Sequence, residues 1–370
     1  GLYRELNIVE GAQGTHLKIK GKTCLSFCSN NYLGLANNPL VIKAVEDAVA
    51  KYGWGAGASR LVSGNMRMHE ALEGEISRFK EKEASIVFPT GYMANIGTIS
   101  SLVSKGDLII CDKLNHASII DGCRLSGAEF RVYPHCEMEK LENILKKSTK
   151  YSRKLIVTDT VFSMDGDIAP LPDIVRIAHK YKAMVMVDEA HGTGVFGKKG
   201  RGVVEHFKLS KKVDIVMGTL SKAVGSLGGY VSGDTDLINY LRNKARPFMY
   251  TTALPPAVCA ASIAGIKLIR KDPSLRESLW CNVRFLKEKL ESLSLKVIPS
   301  ESPIIPILIG DAKKAVDVSK FLYKKGILIP AIRPPTVPAR SSRLRMTVMS
   351  THTKKDLERL LEVLSDVQDL

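Results

Sequence analysis

Two apolar runs each end in residues able to do chemistry. Val185-Met-Val-Asp188 leads into Glu-Ala-His191-Gly, and Val213-Asp-Ile-Val-Met217 leads into Gly-Thr219-Leu-Ser-Lys222. Both runs read as buried parallel strands, and in open α/β sheets the chemistry collects beyond the carboxyl ends of such strands. A carboxylate at one strand end, a histidine three residues on and a lysine past the next strand form the set that pyridoxal phosphate (PLP) requires. The lysine forms a Schiff base with the aldehyde, and the carboxylate keeps the pyridine nitrogen protonated so that the ring acts as an electron sink. Asp188 is costly to bury without a cation, and a pyridinium supplies one. The competing reading is a structural Asp that caps the next turn. Lys222 gains its weight from these partners, since a lysine at a strand end usually faces solvent.

Further motifs extend the set. Thr90-Gly91-Tyr92 follows a strand and opens a helix, where backbone N–H groups bind phosphate and glycine admits a close approach. A tight strand-to-helix turn needs the same glycine. Tyr92 places an aromatic ring beside it, and the Thr219 hydroxyl suits the same phosphate. His116, in Leu114-Asn-His116-Ala-Ser118, either stacks on a cofactor ring or caps a helix. Ser163, in Val161-Phe-Ser163-Met-Asp165-Gly166-Asp167, can bond the cofactor's phenolic oxygen, while a β-turn accounts for Asp165 to Asp167. The glycine-rich stretch 53–64 matches neither a P-loop nor a dinucleotide fingerprint. Near the C-terminus, Arg333 and Thr336 lie on a proline-rich loop, Ala331-Ile-Arg333-Pro-Pro-Thr336-Val-Pro338. Arg343 and Arg345 alternate on the next strand and share a face suited to a carboxylate. A solvated strand edge is the alternative.

Strand patterns at 85–88, 108–111, 130–133, 154–158, 184–187, 214–217 and 229–232 alternate with helix-length segments. That alternation predicts an α/β fold, a mostly parallel sheet with helices on both faces. Asn38-Pro39 starts a helix that Gly53 stops. Beyond residue 256 the pattern becomes α+β: helices at 256–271 and 274–292, strand 304–309, helix 313–325, strands 327–331 and 343–348, and a helix from 354. The expected organisation is an N-terminal arm at 1–34, a large PLP-binding domain at 35–265 and a smaller α+β domain at 266–370.

The 370 residues suffice for two cores, and 45% hydrophobic with 25% charged residues is ordinary globular composition. No apolar run approaches the roughly 18 residues of a membrane span, so no membrane partner is expected. The chain opens at Gly1 without methionine, which reads as a trimmed N-terminus and leaves a lost targeting segment open. Seven cysteines, an odd count with no CxxC pair, read as reduced thiols of a cytoplasmic protein with no metal site. A net charge of +16 attracts phosphates, coenzyme A and acidic carrier proteins, or is a generally basic solvated surface. The basic residues gather in no recognisable nucleic-acid module, so no nucleic-acid partner is expected.

Taken together, the motifs resemble the α-oxoamine synthases, PLP enzymes of the aspartate-aminotransferase fold (fold type I). The resemblance runs over nearly the whole chain. It rests on Ser29-Asn30-Asn-Tyr-Leu-Gly34, Gly57-Ala-Ser-Arg-Leu-Val-Ser-Gly64, Val161 to Asp167, Val187-Asp-Glu-Ala-His-Gly-Thr-Gly194 and Gly218-Thr-Leu-Ser-Lys222. It implies that Lys222 is the Schiff-base lysine, that Asp188 partners the pyridine nitrogen, and that His191 and Ser163 address the phenolic oxygen. It implies His116 on the ring, and Gly91, Tyr92 and Thr219 at the phosphate. Arg345 takes the amino-acid carboxylate with Asn30 nearby, and Arg4, Arg333 and Thr336 serve the substrate side. Members are homodimers with a shared site, so Thr251 and Thr252 are expected at the partner's phosphate. Asp159 departs from the glutamate often found there, and the family's first helix is missing. The loop at 331–338 is most similar to the branch that condenses L-alanine with a pimeloyl thioester of CoA or acyl carrier protein, with loss of carbon dioxide. Glycine with acetyl-CoA is the alternative. More distant rivals are an aminotransferase, a non-catalytic PLP-binding subunit and a basic nucleic-acid-binding protein.

Overall fold

The computed structural model describes residues 6–367. The chain forms two compact units, one of residues 38–162 and 168–273, the other of the stretch up to 37, the segment 163–167 and everything from 274 on. Arg4 lies outside the described residues.

In the first unit, seven strands lie in the order Ala84–Phe88, Gly229–Gly233, Ile215–Thr219, Met184–Asp188, Lys154–Asp159, Leu108–Asp112 and Glu129–Tyr133. All run parallel except Gly229–Gly233, which is antiparallel to both neighbours. Chain length explains the exception. Only residues 220–228 link it to Ile215–Thr219, and a parallel return needs a crossover of about a dozen residues or more. Leu108–Asp112 and Ile215–Thr219 are buried at every position, as parallel strands covered on both faces must be. Ile86, Ile109, Val157, Met186 and Met217 meet in the apolar core. The predicted helix forms as Pro39–Tyr52, with Asn38 accepting from Leu40 N and Gly53 ending it at φ 72°. The parallel register sets Asp159 directly opposite Asp188, and Thr219 closes the strand beyond.

The second unit has two three-stranded sheets. Lys22–Ser26 lies between His16–Ile19, antiparallel, and Ile327–Leu328, parallel. Ser342–Thr347 lies between Ile304–Gly310 and Ala331–Ile332, both antiparallel. The single strand expected at 327–331 is therefore two, serving different sheets. Pro330 stands between them and has no N–H to continue a ladder, although its carbonyl accepts from Arg345 N at 3.1 Å. Helices Ser274–Glu291, Ala312–Lys324 and Lys354–Ser365 complete the unit. Among the described residues no helix is long and apolar enough to cross a membrane.

His352 shows how tightly this unit closes. Its buried ring stacks on Phe27 at 4.2 Å and 13°. Nδ1 accepts from Met349 N at 2.9 Å, so Nε2 carries the proton it donates to Ser26 O at 2.9 Å. Burial holds the pKa down at about 4, because a proton on Nδ1 would face another N–H. The unfolded chain protonates this ring near pH 6.5. The stability it contributes is thus complete above about 6.5 and is lost as pH falls toward about 4. Urea unfolding across that window should lose up to about 1.4 kcal/mol per pH unit from this group. His352→Gln should flatten the slope, and an unchanged slope would count against the assignment.

Candidate active site

Asp188 ends its strand with 3% of its surface exposed. Its Oδ2 accepts from Asn95 Nδ2 at 2.8 Å, and Oδ1 accepts from Ala190 N at 2.8 Å. Among the described residues it has no ion-pair partner. The carboxylate is therefore satisfied by neutral donors only, and a cationic ligand nitrogen would complete its environment. One strand over, Asp159 Oδ2 accepts from His116 N at 2.7 Å. Burial first, and then the Asp188 charge, raise the Asp159 pKa well above the ordinary carboxylate value. Asn115 ties this corner down, donating to Val157 O at 2.8 Å and accepting from Asp159 N at 3.0 Å.

His116 is the N-cap of helix Ala117–Ser126. Its Nδ1 accepts from Ser118 N at 3.2 Å and lies 2.7 Å from Ser118 Oγ, which in turn accepts from Asn95 Nδ2 at 2.9 Å. A hydrogen-bonded path thus runs from Asp188 through Asn95 and Ser118 to His116. The capping reading holds, and it also fixes the ring's tautomer and plane. Desolvation lowers the His116 pKa against the opposing charge of Asp188. Asn95 and Ser118 were not singled out from sequence. The signal available for Asn95 was one amide in the largely apolar helix Gly91–Leu102.

Lys222 Nζ lies 2.8 Å from His191 Nε2, so the two expected partners meet. Thr219 Oγ1 bonds Gly228 O at 2.9 Å and lies 2.8 Å from Ser221 Oγ. A Cβ on Gly91 would come within 3.1 Å of Met217 Cε and 3.6 Å of Thr219 Oγ1. Glycine therefore keeps the helix start open beside that hydroxyl, and helix N-termini are where phosphates commonly bind. Tyr92 is exposed and donates to Asp121. Thr252 bridges to Ser59, which brings Thr251 and Thr252 to the glycine-rich stretch.

In the second unit, Arg343 and Arg345 are both buried, which overturns the solvated-edge reading. They are not equivalent. Arg343 is ion-paired with Asp165 and also donates to Met164 O at 3.4 Å and Ser341 O at 3.0 Å. The expected face of two carboxylate-binding arginines is therefore reduced to one. Arg345 donates to Ser163 O at 2.5 Å and Asn30 Oδ1 at 3.2 Å, and no carboxylate among the described residues pairs with it. Tyr32, whose hydroxyl lies 3.4 Å from Asn30 Oδ1, is pushed up to about 12 by burial. Ser163 meets Arg345 through its carbonyl, not its hydroxyl. Thr336 N donates to Arg333 O at 3.1 Å. One further cluster, Asp112 with His135 and Cys136, is a hydrogen-bonded turn. Asp112 already accepts from Leu114 N, His135 Nδ1 and Cys136 N.

The model of the family described as "Aminotransferase class I and II" matches residues 22–364. The chain is 49% identical over 368 residues to 8-amino-7-oxononanoate synthase of Thermoanaerobacter pseudethanolicus, covering 99% of this chain and 93% of that one. A serine palmitoyltransferase from S. paucimobilis with bound PLP and myriocin superposes with a TM-score of 0.96 at 35% identity, covering 98% of this chain and 92% of that one. An 8-amino-7-oxononanoate synthase from Francisella tularensis superposes with a TM-score of 0.81 at 31% identity, covering 94% and 98%.

Asn95→Leu keeps the volume but removes the donor to both Asp188 and Ser118. The unfolding free energy of the cofactor-free protein should fall by about 1.5–3 kcal/mol, the usual worth of a hydrogen bond to a charged group. No change in urea unfolding would mean that the contact does not support Asp188.

Proposed function

This chain belongs to the aminotransferase class I and II family, and on that premise we propose that it condenses L-alanine with a pimeloyl thioester. The enzyme is a PLP-dependent C-acyltransferase making 8-amino-7-oxononanoate in biotin biosynthesis. The observation that carries the reading is Asp188, a buried carboxylate held by neutral donors alone, in the same unit as the Lys222–His191 contact.

PLP, when bound, supplies an electron sink for the negative charge that develops at the amino acid's α-carbon. Asp188 would hold a proton on the ring nitrogen and offset the charge that nitrogen carries. Lys222 would hold the cofactor's aldehyde, and its amine is the group placed to take the α-proton as general base. His191 orients that amine, and His116 presents a ring whose plane its cap has fixed. Gly91, Tyr92 and Thr219 are assigned to the phosphate. The family resemblance assigns Ser163 to the phenolic oxygen. Arg345 takes the alanine carboxylate through its unpaired charge, with Asn30, while Arg333, Thr336 and Arg4 serve the acyl substrate. A carbon–carbon bond forms between the alanine α-carbon and the thioester carbonyl. The thiol leaves, and the original carboxylate departs as carbon dioxide.

The acyl donor is a thioester of CoA or of acyl carrier protein, both acidic and both suited to a chain of charge +16. The protein is read as a homodimer that shares its sites. Trp54, Leu61, Val62 and Tyr250 are large apolar side chains exposed on and beside the glycine-rich stretch that meets Thr252, and such a patch suits a second copy. The seven cysteines are all free thiols, which suits the cytoplasm.

Thiol release from pimeloyl-CoA by PLP-loaded protein should depend on L-alanine. Release with glycine and acetyl-CoA instead would overturn the substrate. Lys222→Ala should abolish release and the visible absorbance of the PLP–lysine linkage; retention of both would refute the assignment. Val62→Asp should shift the protein to monomer in size exclusion and remove activity, and an unchanged elution would reject the proposed dimer face.

A further inference from the structure

Lys80 is the last residue of helix Arg67–Lys80 and is only 5% exposed. A lysine at a helix C-terminus ordinarily extends its ammonium into water, whereas this one turns inward. Its Nζ donates to Thr193 Oγ1 at 2.9 Å and to the carbonyl of Arg201. Thr193 Oγ1 is also 2.9 Å from Tyr230 Oη, and the Tyr230 ring lies 5.6 Å from the ammonium. Burial pushes the Lys80 pKa down to about 8. At neutral pH the charge is thus held in a place less favourable than water, so stability alone is a poor account of it.

Thr193 closes the turn that carries His191. Gly192 N and Thr193 N both donate to Glu189 O, at 3.0 and 2.8 Å. The turn wraps around the buried Glu189 carboxylate, which accepts from Val203 N at 3.0 Å, Val204 N at 2.8 Å and Thr160 Oγ1 at 3.2 Å. A Cβ on Gly192 would lie 1.9 Å from Glu189 Oε2, so the wrap requires glycine there. Upstream, Thr160 N and Oγ1 clamp Asp188 O at 2.9 and 3.0 Å. His191 therefore stands between a clamped strand end and a threonine whose hydroxyl Lys80 grips.

We propose that Lys80 is a positioning residue for the reaction: through Thr193 it fixes the turn that sets His191 Nε2 at 2.8 Å from Lys222 Nζ. The inference rests on the functional assignment of Lys222 above. In the full chain, Lys80→Met should keep or raise the thermal midpoint of the cofactor-free protein. The PLP-loaded variant should lose at least about tenfold in kcat while its KM for alanine changes little, as misplacement of a catalytic group does. In the cofactor-free protein the NMR signals of the His191 ring should shift. Thr193→Val removes the same contact from the other side and should reproduce these effects. Thr193→Ser should restore them, and the double variant should lose no more than either single one.

Unchanged kcat and unchanged His191 signals in Lys80→Met would overturn the proposal. If that variant does not fold, the same result in Thr193→Val would do so, as would additive losses in the double variant. A wild-type protein that takes up no PLP would sink the assignment of Lys222. The His191 signals of the cofactor-free chain would then decide the role of Lys80 by themselves.

Discussion

A carboxylate buried at the end of an apolar strand is the constraint around which the first unit is organised. Asp188 has given up water, and its hydrogen bonds come from an amide side chain and a backbone N–H. Such a group is tolerable if a cation joins it, and that requirement shapes its surroundings. The parallel register sets a second carboxylate, Asp159, directly opposite. Two adjacent buried carboxylates cannot both ionise cheaply, and burial first, then the Asp188 charge, raise the Asp159 pKa. Asp159 still has work as an acceptor for His116 N. One of the pair is therefore held by neutral donors alone, and the other holds a neighbouring group in place.

The same logic separates the two arginines of the second unit. Strand alternation gives both the same face, yet their chemistry diverges because Asp165 neutralises one of them. The Arg345 guanidinium donates to a carbonyl and an amide oxygen, and no carboxylate among the described residues neutralises it. The position of one aspartate in a short turn thus ties one of two equivalent-looking arginines into an ion pair and leaves the other without a carboxylate partner among the described residues.

Much of the fold was legible in the chain. Apolar runs of five residues announced the parallel strands, Asn38, Pro39 and Gly53 marked one helix, and the nine-residue link before Gly229 was too short for a parallel return. Asp188 and Lys222 were legible because a polar residue that ends a buried run stands out against its neighbours. Pro330 was visible too, but which sheet each flanking pair of residues would join was not. That depended on strands contributed by Lys22–Ser26 and Ser342–Thr347, far away in sequence.

By itself, then, the sequence determined the local periodicities, the caps, the order of strands and helices, and the residues whose chemistry suits PLP. Tertiary structure alone decided which partner each charge would have. Asn95 reaches Asp188 across 93 residues, Lys80 reaches Thr193 across 113, and Arg343 reaches Asp165 across 178. Periodicity reports which face of an element is buried, because burial depends on local pattern. Hydrogen-bond and ion-pair partners depend on where separate elements are brought together, and no local pattern encodes that. A lysine at a helix end reads as solvated until the chain packed against it shows what its ammonium touches.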